Sequence, residues 1–239
     1  MNVVVLLAGG IGSRMRREVP KQHIKISNHQ IIEYTLTAFS ASNAVDAILI
    51  VSKAEYSELC NEFTKKYKKL KWIIEGGSIR SLSVYNAVSF LMNICSSADN
   101  VIISDAVRPC IRKVEIEELF KSLETHSAAT TGVEVYETIL QTKDNQLQKI
   151  IPREGIWRQT SPEGYRFHVL KELYIDTALD TVLEYKNIGI DQLFVSNHSI
   201  GIVKTTPLNF KITTQNDLRL FETVIKNGFH DFILSSEKK

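Results

Sequence analysis

Three glycines fall within four positions, Gly9, Gly10 and Gly12, directly after the apolar run Asn2 to Ala8. Backbone N–H groups with no Cβ in front of them can approach a phosphate closely. Arg14 and Lys21 follow, the second within Pro20-Lys21-Gln22, where two cations could neutralise a triphosphate. The chemistry suited to these residues is the binding of a nucleotide's phosphates. The loop is not a dinucleotide fingerprint, because Met15 stands where G-x-G-x-x-G requires its third glycine. It is not a Walker loop either, since no Gly-Lys-Ser/Thr follows four spacer residues. A plain strand–turn with solvated basic residues is the competing reading, which Arg14 and the Pro-Lys-Gln run argue against.

Other residues carry weaker signals. Gly76, Gly77 and Ser83 could read a nucleotide through backbone groups and a hydroxyl, or simply form a strand–turn–helix with an N-terminal serine. Asp105 ends an apolar run and is either a metal ligand or a cap on the turn before Pro109. The three cysteines, Cys60, Cys95 and Cys110, lack C-x-x-C spacing and read as reduced thiols, with Cys110 a buried one near the site. The six histidines show no H-E-x-x-H or similar spacing, which argues against a transition-metal centre.

The elements that must position these groups alternate. Apolar runs at Asn2 to Leu7, Ala47 to Val51, Lys71 to Ile74 and Asn100 to Ile103 predict strands. Ala54 to Lys68, Ser81 to Met92 and Val114 to Leu123 predict helices between and after them. This order predicts a mostly parallel α/β sheet covered on both faces. Glycine turns or an acid follow the carboxyl ends of the first, third and fourth runs, the edge at which such sheets bind ligands. Thr131 to Leu140 and Gln148 to Ile151, flanking the turn-like Thr142 to Asn145, predict a β-hairpin that protrudes as an arm. A short strand at Gly201 to Lys204 and a helix through Leu218, Phe221 and Ile225 close the pattern. Thr214 is placed to cap that helix, with Asp217 three residues on. The expected organisation is one domain over residues 1–230, with the arm at about 134–152 and a tail at 231–239.

The 239 residues suffice for one such domain, and 44% hydrophobic with 23% charged residues is ordinary for a globular chain. Lys plus Arg total 29 against 27 acids, so no global basic field argues for nucleic acid, and any anion site is local. The N-terminal apolar run lacks a basic flank and reads as a strand rather than a signal peptide. No run reaches the ~20 apolar residues of a membrane span. The cytoplasm is the expected location.

Taken together, these segments resemble the cytidylyltransferases that join CTP to a polyol phosphate, namely methylerythritol phosphate and ribitol phosphate cytidylyltransferases. The matching pieces are Ala8-Gly-Gly-x-Gly-x-Arg-Met15, Pro20-Lys-Gln22, Gly76-Gly-x-x-Arg-x-x-Ser83, Asp105-Ala-x-Arg108-Pro, Glu137-Thr138-Ile, Arg153-x-x-x-Trp157, Gln159-Thr-Ser-Pro162 and Asn209-Phe-Lys211-Ile-Thr213. They run in family order over residues 2–225.

The resemblance implies a three-layer, Rossmann-like nucleotidyltransferase fold and attack of an acceptor phosphate on the α-phosphorus of CTP with release of pyrophosphate. It implies that Arg14 and Lys21 are catalytic. Ala8, Gly9, Gly10, Gly12, Gly76, Gly77, Ser83 and Ala106 would join them in binding the nucleotide, and Asp105 would hold Mg²⁺. Arg108, Thr138, Arg153, Ser161 and Lys211 would bind the acceptor, Thr138 and Arg153 from the arm of a neighbouring subunit in a homodimer. Ribitol 5-phosphate, a precursor for a surface glycan, is the expected acceptor because the Ala-Gly-Gly-Ile-Gly-Ser-Arg opening resembles the ribitol branch. Methylerythritol phosphate, for isoprenoid synthesis, is the alternative.

The chain departs from the family pattern mainly in its acceptor half. Ser104 replaces a usual His, Glu137 a usual Asp, Ser161-Pro162-Glu163 a usual Thr-Pro-Gln, and Phe210 a usual Ile. Asp180 is only a loose match to an acid expected before Leu183-Glu-Tyr185. Glu137 and Glu163 add negative charge where a phosphorylated acceptor would dock, unless they bind hydroxyls. Two rivals remain. A glycosyltransferase would need Asp-x-Asp, whereas Asp105 is followed by Ala106 and Val107. A nucleotide-binding relative without activity is opposed by the presence of Arg14, Lys21 and Asp105.

Overall fold

The computed structural model describes residues 1–10, 19–184 and 189–234. β1 (Asn2–Leu7) is a run of apolar residues whose alternate side chains bury on opposite faces. Val4 and Leu6 enter one hydrophobic cluster, Val3 and Val5 the other. A strand that buries both faces belongs at the centre of a parallel sheet. β1 lies there, paired in parallel with β4 (Ala47–Ser52) and with β6 (Asn100–Asp105). β5 (Leu70–Glu75) extends the same side.

The other half of the sheet is built from β7 (Ala128–Glu134), β10 (Trp157–Arg166) and β11 (Ile200–Lys204). The seven strands run in the order β11-β7-β10-β6-β1-β4-β5. Only β10 is antiparallel to its neighbours, lying between β6 and β7. The two remaining strand pairs lie outside this sheet. One is the small ribbon of β2 (Lys25–Ile26) with β3 (His29–Gln30). The other joins β8 (Ile139–Lys143) to β9 (Gln146–Ile151).

Helices cover both faces. α1 (Ile31–Ala41), α2 (Ser57–Lys66), α4 (Lys113–Ser122), α8 (Gln215–Lys226) and α9 (Phe229–Leu234) supply the cluster around Phe39, Leu119 and Phe221. α3 (Arg80–Leu91), α5 (Phe167–Tyr174), α6 (Leu179–Glu184) and α7 (Ile190–Val195) supply the one around Val88, Leu170 and Tyr174. The result is the expected mostly parallel three-layer architecture. At the start of α8, the Thr214 hydroxyl accepts from the Asp217 N–H at 3.3 Å and Asp217 accepts from the Thr214 N–H at 2.7 Å. Such a cap contributes about 1 kcal/mol.

Three features differ from the sequence pattern. The stretch read as one arm strand, Thr131 to Leu140, is divided: β7 is buried between β10 and β11, and only β8 belongs to the hairpin. The hairpin closes through Asp144 and Asn145, whose φ of 51° and 61° fit a tight two-residue turn. β10 itself was not anticipated, because Pro162 and Gly164 are poor residues for a central strand. It accommodates them with a bulge, since Gln159 pairs with Gly132 but Glu163 with Thr130. Finally, packed structure continues beyond residue 230, for α9 runs to Leu234 and buries Ile233 completely. Among the described residues no helix is long and apolar enough to cross a membrane.

Candidate active site

Parallel pairing aligns the carboxyl ends of β1, β4, β5 and β6, and two adjoining hollows open at that edge. The first, of about 520 Å³, is lined by Gly9, Gly10, Lys21, Lys53, Gly77, Ser83, Asp105 and Lys211 among others. The second, of about 300 Å³, lies toward β10 and is lined by Arg108, Gln159, Ser161, Glu163 and Asp191 among others. Arg80, Asp105 and Lys211 line both and form their common border.

The first hollow combines glycine turns with basic side chains. A Cβ at Gly9 or Gly10 would meet nothing within 4 Å, so both face open space. Ala8 lies beneath, buried, with its N–H on the Val51 carbonyl and its own carbonyl accepting from Gln22 Nε2. Lys21 is buried to 8% exposure and donates to the Ile212 carbonyl at 2.9 Å, tying this wall to the segment before α8. Gly77 is sterically required, because a Cβ there would stand 2.3 Å from Leu82. Ser83 Oγ accepts from the Gly77 N–H at 3.0 Å and lies 3.1 Å from the Ile79 carbonyl. That hydroxyl thus braces the loop from within. Gly76 bonds Ser52 and is not part of the lining.

The border is electrostatic. Asp105, the last residue of β6, accepts from Lys211 Nζ at 3.0 Å and from Arg108 Nε at 3.2 Å. Burial alone would raise its pKa, but Lys211, Arg108 and Arg80 outweigh that and hold it below the ordinary value of 3.8. The carboxylate is therefore ionised. Arg80 opens α3 and reaches Glu163 Oε2 at 3.8 Å. Burial opposes the Arg80 charge, yet Glu163 and Asp105 more than restore it. Glu163 behaves in the opposite way to Asp105. Burial raises its pKa most, Arg80 and a hydrogen bond from Tyr165 offset only part of that, and Asp105 and Asp191 add repulsion, so it stands above the ordinary 4.5.

The structure thus brings together Gly9, Gly10, Lys21, Gly77, Ser83, Asp105, Arg108, Ser161 and Lys211. Ala106 is a correction. It is fully buried, its N–H bonds Leu7 and its carbonyl accepts from Thr35, so it presents nothing to the cleft. Val107 lines the cleft instead. Gly12 and Arg14 lie outside the described residues, as does Tyr185. Thr138 and Arg153 are exposed on the arm and line neither hollow of their own chain. Glu137 is exposed on the arm as well, and Asp180 is exposed on α6. Ser104 is fully buried. Cys110 is buried too, its thiol pushed up to about 12 by burial, which removes it as a nucleophile.

Several lining residues were not singled out from the sequence. Lys53 directly follows β4, an edge position that a cation after an apolar run can signal. Arg80 lies within the Gly76-to-Ser83 segment but had no role assigned. Asp191 depends on α7, which the hydrophobic pattern does not reveal; Gln159 and Glu163 stand in a segment legible in the sequence, but their placement depends on β10, which is not.

The family described as IspD, 2-C-methyl-D-erythritol 4-phosphate cytidylyltransferase, matches residues 2–227. A 2-C-methyl-D-erythritol 4-phosphate cytidylyltransferase of Thermotoga neapolitana is 34% identical over 95% of this chain and 97% of its own. A ribitol-5-phosphate cytidylyltransferase of Lacticaseibacillus paracasei is 30% identical over 95% and 98%. Among solved structures, the 2-C-methyl-D-erythritol 4-phosphate cytidylyltransferase of Francisella tularensis superposes with a TM-score of 0.74 at 26% identity, covering 93% of this chain and 98% of that one.

Proposed function

The chain belongs to the IspD, or 2-C-methyl-D-erythritol 4-phosphate cytidylyltransferase, family, and from that premise we propose that it transfers CMP from CTP to a small alditol phosphate, with ribitol 5-phosphate as the acceptor. The observation that carries the reading is the border itself: Lys211, Arg108 and Arg80 gathered around ionised Asp105 where two hollows meet. In the reaction an acceptor phosphate oxygen attacks the α-phosphorus, the bond from that phosphorus to the bridging oxygen breaks, and pyrophosphate departs. Such a displacement needs positioned charge rather than a protein nucleophile. Gly9, Gly10 and Gly12 cradle the triphosphate, with Arg14 and Lys21 stabilising charge that develops on it. Arg108, Ser161 and Lys211 hold the acceptor.

Asp105 suits Mg²⁺ as a single hard oxygen ligand facing the triphosphate wall. Among the described residues no group of three or more His, Cys, Asp or Glu could cage a metal, so phosphates and water would complete the shell. Magnesium there would neutralise phosphate charge. The arm supports a homodimer in which Thr138 and Arg153 complete a neighbour's acceptor pocket, since Leu140, Leu147 and Ile150 are all more than half exposed on it. Residues 1–234 would then act as one domain bearing that arm.

Methylerythritol phosphate is the second reading, favoured by the 34% identity to the Thermotoga enzyme. The test is pyrophosphate release with CTP and Mg²⁺ against ribitol 5-phosphate, methylerythritol phosphate and glycerol 3-phosphate. Release with ribitol 5-phosphate alone is the expected result. Release with methylerythritol phosphate alone would replace it, and release with none would overturn the activity.

A further inference from the structure

The acceptor hollow mixes cations and carboxylates. Lys211 and Arg108 bracket Asp105. Gln159, Glu163, Gly189 and Asp191 line it as well, with Arg80 interacting with both Asp105 and Glu163. Its lining carries three cations, Arg80, Arg108 and Lys211, against three carboxylates, Asp105, Glu163 and Asp191. Among the described residues of the lining, charge is therefore balanced before any ligand arrives. A phosphate beside Lys211 and Arg108 adds negative charge already, and a second anionic group would meet the carboxylates of Glu163 and Asp191.

Glu163 is the group most suited to read the rest of the ligand. Its Oε2 accepts from Tyr165 Oη at 2.8 Å and faces Arg80. Its Oε1 accepts from Gln159 Nε2 at 2.9 Å. A carboxylate offers about four lone-pair sites, so capacity remains after these contacts. Gly189 packs against this group: a Cβ there would stand 3.3 Å from Tyr165 Oη, 3.5 Å from Oε2 and 3.9 Å from Oε1. Nearby, Ser161 Oγ is buried with no hydrogen-bond partner, a second polar atom awaiting one.

We propose that Glu163 accepts a hydrogen bond from an acceptor hydroxyl and so selects a phosphorylated polyol that carries no second charge. The proposal rests on the cytidylyl-transfer reading only for the identity of the bound molecule. It assigns to this chain a specificity residue at a position where the family pattern has Gln. The competing account makes Glu163 merely the counter-ion of Arg80. Because Arg80 also lines the nucleotide hollow, loss of that role would disturb CTP and phosphate binding as well.

Calorimetric titration of the full chain and of Glu163→Gln separates the two. The probes are inorganic phosphate, CTP, ribitol 5-phosphate and ribonate 5-phosphate, the last bearing a terminal carboxylate. The unaltered chain is expected to bind ribitol 5-phosphate more tightly than inorganic phosphate. The substitution should shrink that preference by about 10- to 100-fold, the range for a hydrogen bond to a charged group. Affinity for inorganic phosphate and CTP should change by less than about threefold, the factor below which no charged hydrogen bond is at stake. Ribonate 5-phosphate should bind the unaltered chain poorly and gain affinity in the variant.

A preference that survives Glu163→Gln, or parallel losses for CTP and phosphate, would overturn the proposal. Pyrophosphate release is scored separately: a chain that binds ribitol 5-phosphate through Glu163 without transferring CMP refutes the activity and leaves this assignment standing.

Discussion

The nucleotide hollow and the acceptor hollow share a border but are built differently. The first sets the glycine turns at Gly9, Gly10 and Gly77 beside Lys21 and Lys53, with Ser83 and Gln22 bracing the turns. The second, beyond the shared border, is walled by side chains projected from β10, α7 and the loop after β6. A glycine turn fixes where phosphates can lie and tolerates few substitutions. A side-chain wall can be redrawn one residue at a time. Of the departures read from the sequence resemblance, Ser161 and Glu163 fall in the second.

The largest expected effect falls on the border. Asp105→Asn should lower turnover by about 10³-fold or more, as loss of several kcal/mol of charge stabilisation implies. Pyrophosphate release measures it, and activity within tenfold of the unaltered chain would show that the two hollows do not meet at this carboxylate. Next, Lys21→Met should reduce kcat by about 10²- to 10³-fold while acceptor affinity holds. An equal loss of acceptor affinity would dissolve the division. Arg153→Ala should raise the acceptor KM about 10-fold and leave CTP binding intact. Mixing this variant with Lys21→Met should restore activity if each arm serves a neighbour.

The smallest effect contrasts the two carboxylates. The folded-state pKa of Asp105 is depressed, so its contribution to stability is present above pH 3.8 and fades as pH falls through the folded value. The folded-state pKa of Glu163 is raised, so its contribution is complete below pH 4.5 and is lost as pH rises through the folded value. Denaturant unfolding across pH should find Asp105→Asn weakened at neutral pH, with the deficit narrowing in acid. Glu163→Gln should gain on the unaltered chain as pH rises from 4.5. Parallel curves would remove the electrostatic contrast.

The nucleotide half was legible because its chemistry is written in residue types that have few other uses. Apolar runs ending in glycine or Asp105 mark β1, β5 and β6 and their shared edge. The acceptor half was less so. β10 contains Pro162 and Gly164, and its bulge destroys the alternation by which a strand is recognised. With that strand hidden, Gln159 and Glu163 could not be brought opposite Arg80, nor could Asp191 of α7 be brought to the same hollow. Ala106 shows the converse error. Its neighbours Asp105 and Val107 face the cleft, yet its own backbone is consumed by Leu7 and Thr35.

The place of β10 also bears on how the chain assembles. In sequence β10 comes after both β6 and β7, yet in space it separates them. Until it inserts, the sheet exists as two fragments, β5-β4-β1-β6 and β7-β11, with no ladder between them. The ladders differ in how much chain they close: β1 meets β6 with Asn2 opposite Asn100, whereas β10 meets β7 with Tyr165 opposite Ala128. Pairing over shorter stretches of chain forms faster, so the β7–β10 ladder belongs to the earlier steps and the β1–β6 ladder, which aligns the nucleotide edge, to the later ones. Pulse-labelled hydrogen exchange during refolding should find amides of β7 and β10 protected no later than those of β1 and β6.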